Sequence, residues 1–293
     1  MKTTSASSYP SAAVPRHRIS LSLSWVLLAV WGALALLGAA VPDDAIAVAL
    51  APLMGIALLG FVLLHAALAY GWKGASLLVA SAFLIALALE SLSIATGFPF
   101  GFFDHTDEFG AKIGTVPVAV ALGYFLYGYP AWMLARVVLG KNAPLWAIPI
   151  VAAFIVTQFD LTHDPVGATA NGFWHFREVS GINGVPLSNF MGWLVTSGAI
   201  FAVWTFFTQR FDRAPEHSDS TFWALPIAVW VLTALQYPLM WANAPTGTVT
   251  AGEAVLPVAD IYETATINAL LVMGFIAVLA GIRLTAARQP KKD

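Results

Sequence analysis

Three kinds of side chain in this sequence have the chemistry to react: carboxyls inside apolar stretches, histidines near them, and aromatic residues in tight turns beside both. Glu90 stands out first. It lies in a long apolar run, seven residues before Gly97, which in a helix puts it about 10 Å from the end at 1.5 Å per residue. An ionisable group at such depth costs about 2.5–3.5 kcal/mol and normally faces a bundle interior or a cavity. Low dielectric disfavours its charged form, so Glu90 is a candidate proton donor. A structural hydrogen bond between helices is the plainer alternative. Asp160 and Asp164 form a D-x-x-x-D segment followed by Pro165. They share a face if the helix continues, although Pro165 biases Asp164 away from helical geometry. Such a pair could bind magnesium with substrate phosphates, or supply an acid and a base. His163 and His175 are candidate acid–base groups, whereas His65, inside an apolar run, reads as a hydrogen-bonded packing residue. Asp260 and Glu263, near the start of the last apolar run, either line the same cavity or favour a helix N-terminus.

The aromatic segments frame these groups. Glycines and proline in Gly97-Phe98-Pro99-Phe100-Gly101-Phe102-Phe103-Asp104-His105 end a helix in a tight turn. Phe98, Phe100 and Phe102 would wall an apolar space there, with Asp104 beside them; an interfacial aromatic belt is the alternative. Asn171-Gly172-Phe173-Trp174-His175-Phe176-Arg177 follows the aspartate pair, and Gly184-Val185-Pro186-Leu187-Ser188-Asn189-Phe190-Met191-Gly192-Trp193 follows that. Asn189 and Trp193 are four apart and share a helix face.

The composition says what must hold these groups. Of 293 residues 59% are hydrophobic and 10% charged, with a mean hydropathy of +0.77; a soluble domain carries about 25% charged residues. The expectation is an all-α, polytopic membrane helix bundle. Runs of about 20 apolar residues fall at roughly 20–41, 45–70, 75–96, 115–139, 143–159, 187–208, 221–242 and 262–284, so about eight transmembrane helices are expected. With the N-terminus in the cytoplasm, all but Lys112 and Arg177 of the 14 Lys and Arg residues fall inside. That positive-inside split requires both termini to be cytoplasmic. The first run is too long for a signal-peptide core and is read as a retained helix. Residues 1–18 are expected to be a disordered cytoplasmic tail, 19–285 a single transmembrane domain and 286–293 a basic cytoplasmic tail. Outside lie three longer segments, 97–114, 160–186 and 243–261. A net charge of −2 gives no basic field for nucleic acid. The absence of cysteine removes thiolate sites, and six histidines are too few and too scattered for a multi-histidine iron centre.

In this order, the segments resemble the membrane carotenoid hydratase family, the bisanhydrobacterioruberin hydratases and gamma-carotene 1'-hydroxylases of bacteria and haloarchaea. The likeness rests on Glu90 seven residues before Gly97, the G-x-P-F-G turn from Gly97 to Gly101, the D-x-x-x-D-P of Asp160, Asp164 and Pro165, the tryptophan-containing stretch around Trp174, and the G-V-P-x-x-N-F-x-G-W segment from Gly184 to Trp193. It covers residues 85–195 and reaches the flanking helices by hydropathy. The chain departs from the family pattern at Phe102, Phe103 and Asp104, where tyrosines are usual, and at Ile182-Asn183, where an aromatic pair is usual.

The resemblance implies addition of water to the terminal double bond of an acyclic carotenoid in the cell membrane. Substrate, water and membrane lipid are then the partners, and no cofactor or metal is required. Protonating a trisubstituted alkene gives a tertiary cation, which needs an undissociated acid in an apolar site and gains from aromatic faces. Glu90, Asp160 and Asp164 are expected to meet at one outward cavity, roofed by 97–104 and bounded by Asn189 and Trp193. Glu90 is favoured as the acid, with the aspartates orienting or deprotonating water, and Phe98, Phe100, Phe102, Asp104, Trp174 and His175 contacting substrate. Two other classes fit parts of the pattern. An intramembrane prenyltransferase would use the aspartates to hold magnesium and a diphosphate, and a non-catalytic transporter would use a buried glutamate.

Overall fold

The computed structural model of the chain describes residues 13–41, 44–215 and 219–287; most of the expected tails 1–18 and 286–293 lies outside them. The protein is an all-α polytopic membrane bundle. Its helices are α1 (Ala13–Ala40), α2 (Asp44–Thr96), α3 (Val118–Leu139), α4 (Ala147–Asp164), α5 (Leu187–Phe211), α6 (Ser220–Ala242), α7 (Val258–Asn268) and α8 (Gly274–Ala286). Lipid offers backbone groups no partners, so long apolar runs satisfy them internally as helix. A π-helical turn at Ala269–Met273 joins α7 to α8. Among the described residues six helices are long and apolar enough to cross a membrane, with Ala49–Thr96 and Val258–Ala286 each taken as one. Helix α4 is shorter, and its second half carries Gln158, Asp160, His163 and Asp164.

Every apolar run read from the sequence overlaps a helical segment, with two differences. The second and third runs form one 53-residue element broken at Gly71. Gly71 has φ +69°, a conformation glycine adopts without strain. The break frees the Ala69 carbonyl, which accepts from the Arg213 N–H at 2.7 Å. The fifth run, expected to end at 159, continues through Asp164 into a π-helical turn, Pro165–Ala170. Asp164 stays helical (φ −62°, ψ −40°) despite Pro165. Pro165 cannot donate to the Leu161 carbonyl, and the Asn268 side-chain amide does so instead at 3.3 Å. The aspartates therefore do share a helix face.

Helix α1 packs on α2 and α6, while α4 lies against α3, α5 and α7. Trp31, Trp132, Trp204, Trp223 and Trp230 are fully buried, so much of the aromatic surplus fills the bundle core. Among the described residues the loops between helices carry three antiparallel ribbons: β1 (Phe103–His105) with β4 (Trp174–Phe176), β2 (Lys112–Ile113) with β3 (Val116–Pro117), and β5 (Thr248–Ala251) with β6 (Ala254–Pro257). The first ribbon ties the segment after α2 to the segment after α4, pairing Phe103 with Phe176, Asp104 with His175 and His105 with Trp174.

Candidate active site

Glu90 lies two turns before the end of α2 and is 4% exposed. The Tyr124 hydroxyl, from α3, donates to its Oε1 at 3.1 Å. Its Oε2 pairs with His105 Nε2 at 3.3 Å. His105 is placed by β1, whose backbone is pinned where Lys112 Nζ donates to the His105 carbonyl at 2.9 Å. Lys112 also holds Asp107 at 2.8 Å, which keeps that exposed carboxyl below the usual carboxylate range. The other ring nitrogen of His105, Nδ1, is buried and has no partner among the described residues.

The aspartate pair comes from α4 and is fixed by α5. Asn189 Nδ2 donates to Asp164 Oδ2 at 2.7 Å and to Asp160 Oδ2 at 3.2 Å. All three side chains are buried. One amide nitrogen thus holds an oxygen of each carboxyl, and Asp160 Oδ1 receives no donor among the described residues.

Glu90, His105, Asp164 and Asn189 open onto one cavity of about 170 Å³, whose other walls are mainly aromatic and aliphatic. Trp193 lines it and stacks on Tyr124 with ring centres 4.2 Å apart. Tyr127, Phe159 and His163 form a continuous stack along another wall, and Trp174 closes beside them. Trp174 fits there because residue 167 is glycine: a Cβ at Gly167 would lie 2.2 Å from the indole. On α3 the wall is low. Ala119 lines the cavity yet is exposed, and Gly123 has open space where a side chain would stand.

The structure thus brings Glu90, Asp164, Trp174, Asn189 and Trp193 to one cavity, with Asp160 directly behind Asn189. Other residues expected to touch substrate lie elsewhere. Phe100 is buried against Gly192 rather than facing the cavity. Phe98 is 58% exposed. Phe102 lies under the Arg177 guanidinium at 5.0 Å, Asp104 pairs with Arg177 at 3.7 Å, and His175 is exposed. Asp260 and Glu263 are exposed on the first turns of α7. Phe103, His105, Phe109 and Phe176 line the cavity instead. The signal for three of them was period two: in β1 and β4, Phe103, His105, Trp174 and Phe176 face inward while Asp104 and His175 face out.

Fold and site together define a polytopic membrane protein with a buried, acid-lined apolar cavity. The chain belongs to the carotenoid biosynthesis protein family, whose model matches residues 46–258. It is 29% identical to the bisanhydrobacterioruberin hydratase of Haloarcula japonica over 144 residues, 48% of this chain and 47% of that protein. The match therefore spans about half the length of that curated relative. No solved structure matches the chain.

Proposed function

We propose that the protein hydrates the terminal double bond of an acyclic carotenoid end group, giving a tertiary alcohol. The observation that carries this is the placement of Glu90 and Asp164 on one apolar, aromatic-walled cavity inside the membrane bundle. Its volume, about 170 Å³, is close to the roughly 150 Å³ of an engineered protein cavity that holds benzene. One branched hydrocarbon end and a water fit there, and the rest of the polyene lies outside. The exposed Ala119 and the bare Gly123 mark where it enters sideways from lipid.

A buried carboxylic acid protonates the alkene at its less substituted carbon, leaving a tertiary cation. The faces of Trp174, Phe103 and Trp193 stabilise that charge, and water adds to it as a second group takes the water's proton. Water adds across the double bond with no net change of oxidation state, so the chemistry calls for no redox cofactor. Glu90, Asp160 and Asp164 are the carboxyls proposed to serve the reaction, with Trp174, Asn189 and Trp193 placing substrate and carboxyls. Prenyl transfer fits less well: the aspartates are engaged by Asn189, and among the described residues no Lys or Arg lines the cavity to meet a diphosphate.

Expression in a lycopene-producing bacterium tests the reaction. The expected product is one water heavier. A product longer by an isoprenoid unit would establish prenyl transfer, and unchanged carotenoid would overturn catalysis on this substrate. We further propose eight crossings in the cell membrane with both termini cytoplasmic, from the asymmetry of Lys and Arg. Reporter fusions should show the C-terminus inside and the 160–186 loop outside; a C-terminal reporter active only outside the cell would refute that topology.

A further inference from the structure

We propose, building on the hydration reading, that His105 is the base that takes the proton from the attacking water, that Glu90 and Tyr124 position it, and that Asp164, backed by Asp160, is the proton donor. The sequence alone favours Glu90 as the donor; the geometry divides the roles differently. Both oxygens of Glu90 are engaged, Oε1 by the Tyr124 hydroxyl at 3.1 Å and Oε2 by His105 Nε2 at 3.3 Å. A carboxylate held against one imidazole nitrogen keeps the proton on that nitrogen and leaves the other as a lone-pair acceptor. That other nitrogen, Nδ1, is buried without a partner among the described residues, on a side chain that lines the cavity. Buried polar atoms are nearly always hydrogen-bonded, and a water in the cavity supplies the missing partner. The nucleophile thus has a defined place, on His105.

Asp164 has the opposite surroundings. It lines the cavity, and the Asn189 amide that donates to it also donates to Asp160. Two carboxylates held on one amide nitrogen in a buried site repel each other, which favours a proton on the pair, and that proton is what the alkene needs. In the first step the Asp164 O–H bond breaks and a C–H bond forms at the less substituted alkene carbon. In the second the water oxygen bonds to the tertiary cation as its proton passes to His105 Nδ1. The imidazolium is neutralised by Glu90. Its extra proton then returns through water to Asp164, so alkene plus water gives alcohol with no other reactant.

The two steps separate in deuterium oxide. A protein that protonates but cannot activate water should form the cation and return it to alkene, exchanging hydrogen at the carbons beside it. His105→Gln is expected to lower hydration by about 10²–10⁴-fold, the usual contribution of a general base, while deuterium still enters recovered substrate. Asp164→Asn should lose both hydration and exchange. Tyr124→Phe, which removes one hydroxyl from the Glu90 contact, should lower hydration by a smaller factor with exchange retained, and it reads the same step if His105→Gln folds poorly. Near-normal hydration in His105→Gln, or equal loss of hydration and exchange in both His105→Gln and Tyr124→Phe, would overturn the assignment. Wild-type protein that neither hydrates nor exchanges would instead reject the hydration reading itself.

Discussion

Two buried histidines, His65 and His105, show what separates structural from reactive polar groups in this bundle. His65 is in the first half of α2, fully buried, and both of its nitrogens are satisfied. Nδ1 meets the Tyr129 hydroxyl at 2.7 Å and Nε2 the Phe222 carbonyl at 3.2 Å, while its ring stacks on Phe222 at 4.1 Å. Nearby polar groups are likewise complete. Trp132 Nε1 donates to the Tyr70 hydroxyl at 2.9 Å, and Arg136 bridges Tyr70 to Asp212. His105 has a nearly buried side chain but one satisfied nitrogen, and Asp160 near the same cavity also keeps a bare oxygen. Leaving such atoms unpaired costs about 1–3 kcal/mol each. One region resolves its polar groups internally and holds helices together. The other leaves polar atoms unpaired on a residue that lines the cavity, His105, and on Asp160 close to it.

The largest expected effect is on the proton donor. Asp164→Asn keeps the shape and the Asn189 contact but cannot deliver a proton, so hydration should fall by about 10²–10⁴-fold, with carotenoid binding retained in a pull-down of pigment with purified protein. Glu90→Gln should follow, because the His105 tautomer is no longer fixed; loss on the order of 10²-fold is expected in the same assay. Near-normal turnover in both would place the chemistry elsewhere. Gly123→Leu projects into the low wall over the cavity, where open space stands now, and should raise KM more than it lowers kcat.

The satisfied region should respond in stability instead. His65→Ala strands the Tyr129 hydroxyl and the Phe222 carbonyl, costing about 1–3 kcal/mol, visible as a lower melting temperature in detergent with turnover per folded molecule unchanged. The smallest effect is on the outer face of the β1–β4 ribbon. The exposed Asp104–Arg177 pair, at 3.7 Å, is a surface contact worth about 0–1 kcal/mol. Asp104→Ala should leave turnover within about twofold; a large loss would mean that this face, and not the inner one, meets substrate.

Much of this was legible in the residue pattern, for reasons that differ by element. Helices could be read because lipid forces every apolar run to close its own hydrogen bonds. Glu90 and the aspartates could be read because charge is costly in such runs. Three features were hidden. The continuation of α4 past Pro165 depends on Asn268, more than a hundred residues away, taking the carbonyl that proline leaves. The choice of His105 over Asp104 depends on three-residue strands, too short to announce their alternation before the β1–β4 pairing sets which face is inside. Phe100 goes to the core and not the cavity because Gly192 leaves it a slot, a fit between distant segments that no local spacing encodes.

The most direct test of the central claim is the origin of the product's oxygen. Cells or membranes carrying the protein and lycopene should be supplied with oxygen-18 water in one arm and oxygen-18 gas in the other, and the extracted carotenoid measured by mass spectrometry. Acid-catalysed hydration predicts a product one water heavier that carries the label only from water. Label from molecular oxygen would contradict it.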